Sequence, residues 1–279
     1  MILDLVSPWA AAFEAPDTAR ARAHFRSKHA DLFEALRRQR APHLGVFPLP
    51  DERQGLRRLA SRASNLDLQQ LLRDQLHAAA TVGVLEPSVV VLLAGGDEGD
   101  AVEALPGTRP TISLFLDCCA DNVDLGVALS RGLASLTRWC TADSESAVRA
   151  ATRDPWDRWE LAREIPLGEW LYTEGMGVHL AHTLLPDAPA HRLLGCSRGA
   201  LRRIREREHA FRALLEADLD HTGLGLVLRW LAPQAPASVR TAGGTVIPPG
   251  TGRYLAWRMT AERVERVGIS DALRMNIDR

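Results

Sequence analysis

Lysine is almost absent from this chain: Lys28 is the only one, and arginine supplies the other basic side chains. The net charge is also small, −1 over 279 residues with 34 basic and 35 acidic side chains. A balance this close to neutral creates no basic field that would attract nucleic acid. We therefore expect no nucleic-acid partner, and we attribute the preference for arginine to coding bias.

Cysteine is scarce and unpatterned. The chain has four cysteines: Cys118, Cys119, Cys140 and Cys196. They form no Cys-x-x-Cys pair and no zinc-ribbon spacing, as expected for reduced thiols of a cytosolic protein. No segment is long and apolar enough to span a bilayer, and the apolar run at the start carries Asp4 and lacks a preceding basic segment, unlike a signal peptide. The sequence therefore predicts a cytoplasmic protein with no membrane partner.

Helical periodicity dominates the first 87 residues. We predict that residues 1–16 form a short extended or turn-like arm, and Asp17 or Thr18 can cap the helix that follows. Asn65 can cap a later helix that is rich in leucine. We predict an N-terminal helical region, residues 1–87, that packs on the rest of the chain. A scaffold or dimerisation role for this region stays open, and so does the oligomeric state.

The character of the sequence changes at residue 88. Two compact runs, SVVVLLAGG from Ser88 and TISLFLD from Thr111, are rich in β-branched residues and predict buried strands. Long helical patterns follow. Hydrophobic residues make up 46% of the chain, which is ample for a core. We predict an α+β fold that is predominantly α-helical, with a small β-sheet in a second region, residues 88–279.

One predicted helix carries a charge on its apolar face. LGEWLYTEGMGVHLAHTLLP, residues 167–186, places apolar side chains at helical spacing, and Glu174 completes the same stripe. A carboxylate on a buried face costs free energy unless a charged or hydrogen-bonding group meets it. The sequence therefore predicts a partner for Glu174.

The order of these elements resembles the zinc-dependent proteases of the zincin superfamily, in their gluzincin-like branch, over roughly residues 88–279. In that family a His-Glu-x-x-His helix supplies two zinc ligands and the general base, and a later Glu-Gly helix supplies the third ligand. Glu174 and Gly175 match the Glu-Gly pair, and IPPGTGRYLAWRM, residues 247–259, is similar to the closing Pro, Gly and Tyr pattern. The resemblance implies a zincin-like core and, in active relatives, a bound zinc ion.

The chain departs from that family at the catalytic motif. Where His-Glu-x-x-His is expected, residues 130–134 are Ser-Arg-Gly-Leu-Ala. Neither Ser130 nor Ala134 can replace an imidazole ligand, and Arg131 cannot accept a proton from water. The resemblance then implies a vestigial site of Ser130, Arg131, Ala134 and Glu174, with no zinc and no other cofactor. The remaining cleft, between the Ser130 helix, the Glu174 helix and the Pro-Gly loop near Gly250, is predicted to bind a peptide or a small molecule, or to serve only for shape.

Three kinds of group could meet Glu174 in place of the metal. We predict Arg131, because a guanidinium can satisfy both carboxylate oxygens and fill part of the vacated volume. Arg138 is the second choice. Backbone amides or a hydroxyl such as that of Tyr254 are the third.

The alternative function is an active hydrolase with a relocated centre. His179 and His182 lie three residues apart on the Glu174 helix, and His182 is expected nearer the buried stripe, so Glu174 and His182 could share a metal. GCSRG, residues 195–199, matches Gly-x-Ser-x-Gly, but no buried strand precedes it, so Ser197 is predicted as a helix N-cap. We therefore predict an inactive metallopeptidase homologue that is a cytosolic binding or regulatory protein.

Overall fold

A small mixed sheet packs among helices in the computed structural model, which describes residues 1–39, 53–94, 102–106, 109–141, 158–233 and 235–275. The prediction of an α+β fold that is mostly helical is confirmed. No helix in these ranges combines the length and the apolar composition that a membrane span needs.

The sheet has four strands in the order β1-β2-β4-β3. They are β1 (Ile2–Asp4), β2 (Val89–Leu93), β3 (Val102–Leu105) and β4 (Thr111–Phe115). Strands β1, β2 and β4 are parallel, and β3 pairs with β4 antiparallel at the edge. The two strands predicted from Ser88 and Thr111 are confirmed as β2 and β4. Their last four residues are buried, as is usual for strands covered on both faces.

The extended or turn-like arm predicted for residues 1–16 is wrong over most of its length. Its first residues form strand β1, and helix α1 (Val6–Ala12) follows at once, with Trp9 fully buried. Asp4 stabilises the start of α1, because its Oδ1 accepts hydrogen bonds from the backbone N–H groups of Val6 and Ser7 at 2.8 and 3.0 Å. Strand β1 places the N-terminal region in the sheet, and the proposed boundary at residue 87 stays a prediction.

Four helices complete the N-terminal region: α2 (Thr18–Lys28), α3 (Ala30–Gln39), α4 (Arg53–Ala63) and α5 (Leu66–Thr81). Asp17 caps α2 by accepting a hydrogen bond from the backbone of Arg20, as predicted. Asn65 caps α5 in the same manner, also as predicted. These caps could be recognised locally, because each satisfies orphan N–H groups of its own helix.

The second region is almost entirely helical. Its helices are α6 (Asn122–Thr141), α7 (Arg158–Glu164), α8 (Leu167–Leu184), α9 (Ala190–Leu193), α10 (Arg198–Glu206), α11 (Glu208–Glu216), α12 (Leu224–Leu231) and α13 (Thr251–Arg274), with a hairpin of β5 (Thr241–Ala242) and β6 (Thr245–Val246). Helix α8 carries Glu174 and packs mainly against α6 and α13. The apolar residues of the predicted stripe, from Leu167 to Ala181, are buried, but buried residues occur on the other sides of α8 as well, so α8 is a central helix.

Helices α8 and α13 come closest at Gly175. A Cβ atom built on Gly175 would lie 2.6 Å from the carbonyl oxygen of Ala256 and 2.8 Å from the hydroxyl of Thr260. No side chain fits there unless a backbone moves. The glycine beside Glu174 is therefore explained by helix packing, independently of any chemistry at the carboxylate.

We expect Gly175→Ala to lower the free energy of unfolding by about 1–3 kcal/mol or more, because the methyl group forces α8 and α13 apart. Urea denaturation measures the change. Gly225→Ala in α12 is the matched control: nothing lies within 4 Å of a Cβ built there, so helix propensity alone should make it neutral or stabilising. Equal stability of the two variants would contradict this account of the crossing.

Candidate functional site

Two arginines surround the carboxylate of Glu174. Arg131 on α6 donates from Nε and Nη2 to Oε2 at 3.2 and 3.0 Å, and Nη2 also lies 3.2 Å from Oε1. Arg253 on α13 donates from Nε to Oε2 at 3.0 Å. The predicted pairing of Arg131 with Glu174 is confirmed. The contribution of Arg253 was not predicted, although this residue directly precedes the tyrosine of the closing motif.

This cluster is largely removed from solvent. The side chains of Glu174, Arg131 and Arg253 are 16%, 12% and 3% exposed. Burial alone raises the pKa of Glu174, but the charges of the two guanidinium groups and their hydrogen bonds outweigh it and lower the pKa to about 2. Glu174 is therefore ionised throughout the neutral range and cannot serve as a general acid there.

The other predicted partners of Glu174 have partners of their own. Arg138 is fully buried and its Nη2 donates to Oε2 of Glu169 at 2.8 Å. The hydroxyl of Tyr254 donates to Oε2 of Glu208 at 2.6 Å. The second and third choices for the partner of Glu174 are therefore wrong. Arg138 and Glu169 instead form a separate buried ion pair between α6 and α8.

Of the four residues of the predicted vestigial site, Arg131 and Glu174 are in contact. Ser130 is fully buried; its hydroxyl donates to the Gly126 carbonyl at 2.9 Å and accepts a hydrogen bond from Gln75 of α5 at 2.8 Å. Ala134 is also fully buried, in the hydrophobic core that contains the sheet. Ser130 is thus hydrogen bonded to a side chain of α5, whereas Arg131 forms an ion pair with Glu174 on α8.

A cavity of about 680 Å³ lies beside the two arginines. Its wall on α6 is formed by Asp124, Val127, Ala128 and Arg131, the spacing of a single helical face. The segment around α9 and the start of α10 forms a second wall, and Pro233, Pro249 and Arg253 a third. The cleft is thus present between α6 and the Pro-Gly loop, as predicted, but its predicted wall on the Glu174 helix is wrong. Among its described lining residues none belongs to α8, so Glu174 lies behind Arg131 and Arg253.

An ion-pair network holds α9 against the start of α6. Arg192 donates from Nε to Asp124 at 2.7 Å and from Nη2 to Asp121 at 2.6 Å. The hydrogen bond from Arg192 and that from the Asp124 backbone lower the pKa of Asp121. Both carboxylates lie in the first turn of α6 or just before it, where the helix dipole also favours negative charge.

The two histidines of α8 lie outside this cluster of charges. His179 is half-buried, and its Nε2 is 3.1 Å from the carbonyl oxygen of Trp257; burial lowers its pKa to about 4, helped by nearby His182 and opposed by that hydrogen bond. His182 is exposed, so its predicted position nearer the buried stripe is wrong. Both rings pack edge-on against Trp257. In the described ranges, no three His, Cys, Asp or Glu side chains are grouped so that they could hold a metal ion.

Ser197 caps helix α10, as predicted. Its Oγ accepts a hydrogen bond from the backbone N–H of Ala200 at 3.1 Å, and Ser197 also lies in the cavity wall. The Gly-x-Ser-x-Gly match is therefore explained by a helix start. Cys118 and Cys196 line the same cavity, and burial raises the pKa of Cys196 although Arg253 opposes it.

No protein-family model matches this chain, no curated protein matches it, and no solved structure matches it.

Proposed function

We propose that this chain is a binding protein without peptidase activity, in which two arginines take the place of a metal ion in a zincin-like arrangement. The observation that carries the proposal is the set of hydrogen bonds from Arg131 and Arg253 to the Glu174 carboxylate. Guanidinium groups are always protonated near neutral pH and present a planar fork that matches a carboxylate. They supply positive charge where a metal would, but they cannot activate water.

The face of α6 that lines the cavity suggests where the degenerate motif lies. Val127, Ala128 and Arg131 have the i, i+1, i+4 spacing of His-Glu-x-x-His and lie on the cavity side. We place the motif on these residues, three positions before the Ser130–Ala134 window. Valine and alanine bind no metal, and arginine does not ligate zinc. The residues present do not fit a zinc ion.

The alternative of an active hydrolase gains no support from the geometry. Each oxygen of Glu174 already accepts a hydrogen bond from a guanidinium, and the nearby imidazoles face Trp257. The hydroxyl of Ser197 is engaged as a cap. A cavity of about 680 Å³ is within the range usual for small-molecule sites, so we assign it as the ligand site of the binding protein.

Restoring the three ligand positions tests the proposal. We expect the purified wild-type protein, titrated with zinc and then dialysed, to retain far less than one zinc per chain. The triple variant Val127→His/Ala128→Glu/Arg131→His should retain about one, because two imidazoles then join Glu174. Elemental analysis measures both proteins, and a casein digestion assay should find no activity in the wild type.

Two further variants control the experiment. Adding Glu174→Gln to the triple variant should abolish zinc retention, and the alternative register, Ser130→His/Arg131→Glu/Ala134→His, should not retain zinc. Stoichiometric zinc in the wild-type protein would overturn the proposal, whatever the variants do. Zinc retention by the alternative register alone would place the motif at residues 130–134 instead.

A further inference from the structure

We propose that the cavity beside Arg131 and Arg253 binds a small organic anion, through an oxyanion group that the arginines of its wall hold. This inference rests on the proposed function, since it names the class of ligand for the same cavity. The shared chemistry is that of phosphate and carboxylate groups, which match the geometry of the guanidinium fork.

The charge of the wall is the first argument. Arg131, Arg192, Arg203 and Arg253 come from four separate segments and converge on one cavity. Asp124 is the one acidic side chain among the described lining residues; it pairs with Arg192, as does Asp121 beside the wall, and Glu174 lies behind Arg131 and Arg253. The four guanidinium groups therefore still outnumber the described carboxylates that they contact. A concave surface with low-dielectric walls concentrates such a field, so an anion is favoured there over a neutral or cationic ligand.

The second argument is that the inner arginines are held in position before any ligand arrives. Glu174 orients both Arg131 and Arg253. Gly195 lets Arg253 come close to the wall: a Cβ atom at this residue, whose φ is +63°, would lie 2.9 Å from Nη1 of Arg253. Groups that are already ordered lose little conformational entropy when they bind a ligand.

The third argument concerns the part of the wall that α10 forms. Arg203 is exposed and forms no ion pair with any residue in the described ranges. Ser197 and Ala200 lie in the wall as well, so the positive end of the α10 dipole adds to the charge of Arg203. Arg203 can therefore close over an anion that the inner arginines hold, while Val127, Pro233 and Pro249 provide apolar surface for the carbon skeleton.

Sodium phosphate and sodium citrate are the probes that test this inference. Each is titrated into the full chain at pH 7.5 and constant ionic strength, with chloride as reference, and binding is followed by calorimetry and by the melting temperature. We expect saturable binding of at least one probe. Binding of phosphate alone would indicate a phosphorylated ligand, and binding of citrate alone would indicate a carboxylic acid. Binding of both probes would indicate a site that accepts either oxyanion.

Two arginines of α10 form a matched pair for the control. Arg203→Gln should weaken binding of the probe about tenfold or more, because it removes a charge-assisted hydrogen bond. Arg202→Gln, the same change one residue away, should weaken it less than about twofold, because Arg202 is not among the described lining residues of this cavity and, in the part of the chain that the structure describes, pairs with exposed Glu206 alone. Equal effects of the two variants, or no saturable binding of either probe, would overturn the inference.

Cys196, one of the two cysteines that line the cavity, provides an independent measurement. Bound phosphate or citrate should slow the alkylation of Cys196 by iodoacetamide, whereas half-buried Cys140, outside the described wall of the cavity, should react at an unchanged rate. Peptide mass spectrometry separates the two sites. If the alkylation rate of Cys196 is unchanged at a saturating probe concentration, the anion binds elsewhere and the inference is wrong. If the wild-type protein retains negligible zinc and binds neither probe, this inference is wrong but the proposed function stands. If the wild-type protein retains stoichiometric zinc, the proposed function itself is wrong.

Discussion

Replacing Glu174 by glutamine is expected to lower the free energy of unfolding by about 3–5 kcal/mol, the usual cost of breaking a buried ion pair from one side. The variant keeps the shape of the side chain but leaves Arg131 and Arg253, 12% and 3% exposed, without the carboxylate between them. Urea denaturation at pH 7 measures the loss. Glu216→Gln, at an exposed position of α11, is the control and should change stability by less than about 0.5 kcal/mol.

The difference in unfolding free energy between wild type and Glu174→Gln should depend on pH. The pKa of Glu174 is lowered from 4.5 to about 2 in the folded protein, so between these values the unfolded chain binds more protons than the native one. The stabilisation by Glu174 is therefore complete above about pH 4.5 and lost as the pH falls toward 2. The difference between wild type and Glu174→Gln should shrink over that interval. A stability difference that is independent of pH would contradict the conclusion that Glu174 is an ionised carboxylate with a lowered pKa.

Replacing Arg138 by methionine is expected to cost about 3–5 kcal/mol, because Glu169 would be left as an uncompensated buried charge. Arg138 is fully buried; it donates to Glu169 at 2.8 Å and to the carbonyl of Met275, and its guanidinium lies 4.7 Å from the ring centre of Tyr172. This one side chain thus joins α6, α8 and the end of α13. Chemical denaturation measures the loss.

The double variant Arg138→Met/Glu169→Leu separates charge from packing. Because well-packed apolar pairs often replace buried ion pairs at little cost, it should be more stable than Arg138→Met alone. Arg57→Met, which breaks the exposed pair of Arg57 with Glu14, is the control and should cost at most about 1 kcal/mol. The single variant Glu169→Leu completes the comparison. If the losses of Arg138→Met and Glu169→Leu simply add in the double variant, the two residues are not coupled and this interpretation is wrong.

The sequence by itself determined the elements whose signals are local. The strands from Ser88 and Thr111 follow from short β-branched runs, and Asp17, Asn65 and Ser197 cap helices through bonds to their own backbone. The need for a partner at Glu174 was also local, because a carboxylate among apolar residues at helical spacing requires compensation wherever the helix packs.

Only the tertiary structure decided that Arg253 joins Arg131 at Glu174, and which face of α6 lines the cavity. Arg253 is 79 residues from Glu174, and no local pattern joins the two. Ser130 and Arg131 are neighbours on the same helix, yet one binds Gln75 and the other Glu174, because the rotation of α6 against α5 and α8 sets the direction of each side chain. Strand β1 likewise exists through its pairing with β2, about 88 residues away. Such long-range contacts depend on how whole elements pack, and a single segment does not encode that packing.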